Sequence, residues 1–157
     1  MNQRLGSISL AGCRLISLES IPRIVGGDVD LSHCGLLSLK GLPSKIGGDL
    51  ICSHNRISSI DGGPIEIDGD LYLQGNKISS LENVHKSIGK VRCIYAKGNP
   101  NLSRVLHVYF VKGCERLEID CGDVMTIVNK HLYLGKAGLV KCQMELINSG
   151  LDKYAKM

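Results

Sequence analysis

GGDLICSHNRISSIDGGPIEI, residues 47–67, is the stretch whose reading decides the fold, because three further copies of it stand in register on either side. They are LGSISLAGCRLISLESIPRIV at 5–25, GGDVDLSHCGLLSLKGLPSKI at 26–46 and DGDLYLQGNKISSLENVHKSI at 68–88. A period of 21 residues with apolar side chains at fixed phase marks a solenoid, in which each unit buries its face only against its neighbours. Within a unit, the alternation seen at Leu71 and Leu73 predicts a short strand with one face inward. Asn55, Asn76 and Asn99 then point inward as well, and a buried amide must have its donors and acceptor satisfied. The backbone of the neighbouring turn is the expected partner. Cys13 and Cys34 share one column and read as small core residues with a weak S–H donor. Ile21-Pro22, Leu42-Pro43 and Gly63-Pro64 turn the chain, since proline presets φ and ends pairing, so the convex side should be irregular or 3₁₀. Val25, Ile46, Ile67 and Ile88 close each turn, and the pairs Gly26-Gly27 and Gly47-Gly48 are expected to supply backbone geometry closed to other residues.

The inward positions follow the pattern L-x-L-x-x-(N/C)-x-L-x-x-L. It is met by Val29, Leu31, Cys34, Leu36 and Leu39, by Leu50, Cys52, Asn55, Ile57 and Ile60, and by Leu71, Leu73, Asn76, Ile78 and Leu81. The chain therefore resembles leucine-rich-repeat proteins. Its layout GGDL-x-x-S-x-N-x-I/L-S-S-I/L-x-G-x-P and its ending, GKAGLVKCQMELINSGLDKYAKM, are similar to the short repeats of bacteriophage proteins. The repeats of secreted bacterial effector ubiquitin ligases are also similar, but they are slightly shorter and lack the Gly-Gly-Asp turn. The resemblance implies an α/β solenoid with a parallel concave sheet of about six short strands, an irregular or 3₁₀ convex side and a C-terminal helical cap. It further implies a phage accessory protein, located in the host cytoplasm, that binds and modulates or inhibits a host protein such as a component of a defence system.

After residue 88 the period slips. GKVRCIYAKGNPNL keeps the motif with Ile94, Ala96, Asn99 and Leu102, and VYFVKGCERLEI reads as a sixth strand with Tyr109 and Val111 inward and Cys114 in the asparagine column, followed by Leu117. Beyond it the pattern turns helical. Asp123 is the expected N-cap of VMTIVNKHLYL, and KAGLVKCQMELINSG places Leu139, Cys142, Leu146 and Ile147 on one stripe with Gly150 at its C-terminal stop. The expected organisation is a repeat solenoid over 1–120 and a helical cap over 121–157 packed on it as a single folding unit. A dimerisation surface is the alternative use of these helices, so a monomer or a homodimer is expected.

The 157 residues, 43% of them hydrophobic, suffice for one real core even with no Trp and one Phe. A net charge of +4, spread rather than clustered, does not favour nucleic acid. No apolar stretch approaches the roughly 20 residues of a membrane span, and no charged-then-apolar leader is seen at the N-terminus. Seven cysteines, at least two of them in core columns, read as reduced thiols of a cytoplasmic protein.

Function is sought on the outward columns of the strands. Alternation gives Ser7, Asp28, Asp49 and Asp70; Ser9, Asp30, Ile51, Tyr72 and Tyr95; and Ala11, Ser32, Ser53, Gln74 and Lys97. The stacked carboxylates either accept N–H bonds from their own glycine turns or form an acidic strip for a basic partner or cation. Exposed tyrosines fit cross-strand packing or interface contact. The candidate partner-binding set is Asp28, Asp30, Asp49, Ile51, Asp70, Tyr72, Gln74, Tyr95 and Lys97. His33 and His54 share a register, but no ligand spacing supports a metal, and His85, His107 and His131 show no pairing. Ser58, Ser59, Ser79 and Ser80 recur only because the loop recurs, and Gly-Gly-Asp precedes strands instead of opening helices, so no nucleophile or phosphate loop is expected. The expectation is a non-enzymatic protein-binding module without cofactor. The alternatives are the repeat domain of an effector or adaptor linked to an enzyme such as a ubiquitin ligase, and a structural protein that oligomerises through its C-terminal helices.

Overall fold

The computed structural model describes residues 6–15, 17–62 and 65–157. In chain order the elements are β1 (Ile8–Ser9), β2 (Ile24–Val25), β3 (Val29–Asp30), β4 (Lys45–Ile46), β5 (Leu50–Ile51), β6 (Ile65–Ile67) and β7 (Leu71–Tyr72). There follow α1 (Val84–Ser87), β8 (Ile88–Lys90), β9 (Cys93–Tyr95), β10 (Arg116–Glu118), α2 (Gly122–Leu132) and α3 (Leu139–Asn148). Among the described residues, three 3₁₀ segments, Val105–Phe110, Gly135–Gly138 and Asp152–Tyr154, complete the set. All sheet pairing is parallel: one sheet of six strands in the order β1-β3-β5-β7-β9-β10, and one of four in the order β2-β4-β6-β8. The chain is an α/β solenoid of about five turns with C-terminal helices.

Each turn contributes a few residues to every layer of one continuous core. Val29, Leu50, Leu71, Ile94 and Leu117 form one fully buried row beneath the six-stranded sheet, and Leu31, Cys52, Leu73 and Ala96 form the next. The asparagine column works as expected from its spacing. Asn55 Oδ1 accepts the N–H groups of Cys34 and Leu36, while its Nδ2 donates to the carbonyls of Leu31 and Cys52. Asn76 joins Ile57 N to the carbonyls of Cys52 and Leu73, and Asn99 joins Ile78 N to those of Leu73 and Ala96. Each amide therefore spans two turns.

Several expectations are corrected. The residues expected only to close each turn, Val25, Ile46, Ile67 and Ile88, lie in a second parallel sheet and are fully buried there, just ahead of the turn into the six-stranded sheet. The glycine pairs between the sheets do not have positive φ. They are required because a Cβ on Gly27 would meet Ser7 Oγ at 2.5 Å, and one on Gly48 or Gly69 would collide with the Asp28 or Asp49 carboxylate. Cys13 is exposed whereas Cys34 is buried, since no earlier described turn covers the first column position. The turn expected at Gly63-Pro64 lies outside the described residues, as do Leu5 and Ile16 of the first unit.

The sixth strand is displaced from the expected VYFVKGCERLEI reading. Val105–Phe110 wind into 3₁₀ helix with Tyr109 buried, and the strand forms at Arg116–Glu118, where Leu117 pairs with Ile94. Cys114 is thus outside the asparagine column. The first cap helix begins at Gly122 with Cys121 at the N-cap, so Asp123 stands in its first turn and makes no capping bond. In α3, Cys142 and Leu146 are buried and Leu139 is half-buried, but Ile147 faces outward. Gly150 closes α3 at φ 72, with Leu151 N bonded back to the Leu146 carbonyl.

Helix α2 covers the last strand of the six-stranded sheet. Leu117 N donates to Asn129 Oδ1 and Asn129 Nδ2 donates to the Leu117 carbonyl, both at 2.8 Å. One side-chain amide thus substitutes for the strand that would come next, satisfying an edge that otherwise invites pairing. Tyr109 Oη donates to the Val128 carbonyl at 2.8 Å, so the 3₁₀ segment and α2 are held by a second buried bond.

Candidate functional site

The six-stranded sheet turns three outward columns toward solvent, in the register predicted by alternation. Ser9, Asp30, Ile51, Tyr72, Tyr95 and Glu118 are successive partners in the central column. At its middle the rings of Tyr72 and Tyr95 stack with centroids 4.9 Å apart and planes within 9°. Parallel in-register pairing forces this arrangement, since neighbouring strands lie at nearly the same spacing as the rings. Both tyrosines remain half-exposed, beside half-exposed Ile51. Burial and then the Asp49 and Asp70 carboxylates push the Tyr72 phenol up, and burial with Cys93 pushes Tyr95 up. Both hydroxyls therefore stay protonated and can donate.

The column Ser7, Asp28, Asp49, Asp70 is a hydrogen-bonded ladder. Ser7 Oγ accepts from Asp28 N, Asp28 Oδ1 accepts from Asp49 N, and Asp49 Oδ1 accepts from Asp70 N. The donor is the aspartate N–H of the following turn, which corrects the expectation that each carboxylate bonds its own glycine turn. Asp70 ends the run: it is 5% exposed and takes Arg92 Nε at 2.8 Å and Nη2 at 3.0 Å. That paired guanidinium holds the Asp70 carboxyl below the usual carboxylate range.

Charge divides along the sheet. Arg116 and Lys97 both approach the Glu118 carboxylate, at 2.7 and 3.6 Å, and Asp120 accepts the Gly98 N–H, so charges on the last turns are compensated locally. Among the described residues, Asp28, Asp30 and Asp49 have no cation within salt-bridge distance. Asp30 Oδ1 accepts from Ser32 N and Oγ, and Gln74 Oε1 accepts from Ser53 Oγ. All nine candidate residues lie on this one sheet or its immediate rim.

At the rim the backbone turns through left-handed φ after each of the first five strands of this sheet. Glycine stands there in Gly12, Gly75 and Gly98, but His33 and His54 adopt φ 56 without glycine's freedom. Their rings stack at 4.8 Å, and a Cβ at Gly75 would meet His54 Nδ1 at 2.6 Å. No group of three His, Cys, Asp or Glu side chains among the described residues could hold a metal ion.

The other histidines are paired, contrary to the sequence reading. His85 stacks on His107 at 5.9 Å beside Phe110, His107 Nδ1 accepts the Asn83 N–H, and His131 Nε2 lies 2.7 Å from Glu145. His107 falls 22 residues after His85, close to the repeat period, and that spacing is the signal that could have revealed the pair. Burial raises the thiols of Cys34, Cys52, Cys93, Cys114 and Cys142, Cys114 to about 12. No helix among the described residues is long and apolar enough to cross a membrane. Compared with known protein families, curated proteins and solved structures, the chain finds no significant match in any of the three.

Proposed function

We propose that the concave six-stranded sheet is a protein-binding surface, and that the chain is a non-enzymatic recognition module of the leucine-rich-repeat type. The observation that carries this reading is the stacked Tyr72–Tyr95 pair, left half-exposed beside Ile51 at the centre of the sheet. An aromatic pair of this kind offers a large, rigid contact area at little entropic cost, and tyrosine is enriched where interfaces concentrate their energy. Asp28, Asp30 and Asp49 lie beside it with no counter-ion among the described residues, which suits a partner that brings cationic groups. The raised thiols of Cys34, Cys52, Cys93, Cys114 and Cys142 count against these five as nucleophiles, because the thiolate is the nucleophile and burial disfavours it. By resemblance of its repeats the partner is a host protein met in the host cytoplasm, and the chain a phage accessory protein that modulates or inhibits it.

The test is affinity capture from a bacterial host lysate followed by quantitative binding. Tyr72→Ala combined with Tyr95→Ala should weaken the captured interaction at least about tenfold, with circular dichroism unchanged. Asp49→Asn keeps a side-chain oxygen for the Asp70 N–H while removing the charge, and should reduce association rate and salt dependence more than residence time. Binding that survives both changes rejects the concave sheet as the contact surface.

A further inference from the structure

Helix α3 is apolar on two opposite faces. Cys142 and Leu146 are fully buried against the rest of the chain, which fixes the helix rotation. Val140, Met144 and Ile147, at 62, 59 and 48% exposure, form a second stripe at i, i+4 and i+7 that faces solvent. A helix on the surface of a monomer is expected to be polar on that side. Among the described residues of the solenoid turns, the other large exposed apolar side chains are Ile24 and Leu37, which belong to different turns.

We propose that this outer stripe of α3 is a homodimer interface, in which α3 packs antiparallel against α3 of a second copy across a two-fold axis near Met144. An isologous contact uses the same patch twice, so the patch must complement itself. This one does: reversing the helix about a point between Gln143 and Met144 sets Val140 opposite Ile147 and brings the two Met144 side chains together at the axis. Branched residues then meet at the ends, and the adaptable thioether fills the centre.

The charges near the stripe favour a second copy over a charged surface. Glu145 is occupied within its own chain by Lys130 Nζ at 2.9 Å and His131 Nε2 at 2.7 Å, and Lys136 lies over the Phe110 ring. Lys141 is the one basic residue of α3 itself, and the two-fold axis places its copies on opposite flanks of the contact, away from each other. An interfacial helix that docks on anionic lipid carries a row of basic residues on its polar face, and α3 has none.

Ten residues of helix span about 15 Å, so the contact is smaller than the roughly 800 Å² per partner of a standard interface. Self-association is therefore weak and depends on concentration. Its consequence is bivalence: two concave sheets are presented on one particle, which raises avidity for a repeated partner.

Sedimentation velocity of the intact chain tests this, from about 10 µM to about 1 mM. The sedimentation coefficient should rise from the monomer toward the dimer value, and Met144→Glu should remain monomeric throughout with unchanged circular dichroism, because it places two carboxylates at the axis. Under mild oxidation Met144→Cys should form a disulfide-linked dimer faster than wild type or Lys141→Cys, which reports the axis position against the background of exposed Cys13. A wild type monomeric at every concentration overturns the proposal, as does a Met144→Glu variant that dimerises normally. Cross-linking through Met144→Cys no faster than in the two controls also overturns it. Co-flotation of monomeric wild type with phosphatidylserine vesicles, lost in Met144→Glu, would assign the stripe to lipid instead.

Discussion

The asparagine column shows how a single side chain can tie one turn to the next. Asn55 occupies a site that is 7% exposed and bonds five backbone groups drawn from two turns. Asn55→Ala leaves those donors and acceptors without partners in a dry core, and should lower unfolding free energy by roughly 1–3 kcal/mol. Denaturant unfolding reads this directly, and stability equal to wild type would sink the ladder argument. This column was legible in the sequence because its spacing is constant and because an inward amide has few ways to be satisfied. The aspartate ladder was legible only as a column. Its donors could not be assigned, since the choice between a residue's own glycine turn and the following turn depends on how closely the glycines let the turns approach. The stacked histidines at left-handed φ were placed side by side by register alone, whereas their strained backbone becomes evident only when Gly12, Gly75 and Gly98 are seen at the same position.

At the scale of elements, the six-stranded sheet was readable and its far end was not. Two-residue strands carry little periodicity of their own, so the second sheet announced itself only as one buried residue per turn at Val25, Ile46, Ile67 and Ile88. The 3₁₀ segment at Val105–Phe110 interrupts the repeat, and buried Tyr109 and Val111 at its end imitate the alternation of a strand. Closure of the sheet by Asn129 lay beyond sequence reasoning, because the two atoms it bonds belong to Leu117 in another element. This contact makes its own prediction. Asn129→Leu should cost about 1–3 kcal/mol by leaving the Leu117 N–H and C=O unpaired. Hydrogen exchange should show faster exchange of the Leu117 amide, with the amides of β5 and β7 little changed. Uniform acceleration across the sheet, or none at Leu117, would mean that α2 holds the edge by packing alone.

At the scale of the whole molecule, the turns of a solenoid are coupled through their nearest-neighbour contacts, so a proton taken up at one turn is felt by the turns beside it. His107 sits in the 3₁₀ segment with its Nδ1 accepting the Asn83 N–H and its Nε2 buried without a partner among the described residues. Burial first, and then His85 stacked beside it, hold its pKa below the ordinary imidazole value; Lys86 and Arg104 act in the same direction, and Glu82 opposes them. The unfolded chain therefore binds this proton more readily than the folded one. The resulting stability is present above the unfolded value of about 6.5 and is lost as pH falls below it. Asp70 adds a separate, more acidic step. Its carboxyl is depressed by Arg92, so its contribution is present above the ordinary carboxylate value of about 3.9 and fades as pH falls through the folded value. Urea midpoints measured at pH values of about 7.5, 5.5 and 2.5 should fall in both intervals. His107→Gln should lessen the fall in the upper interval and leave the lower one unchanged, while Asp70→Asn should lessen only the lower, where the depressed carboxyls of Asp68 and Glu145 also contribute. If His107→Gln keeps the wild-type slope between the two higher pH values, the acid sensitivity of this range arises elsewhere than in the turn that joins the solenoid to its helices.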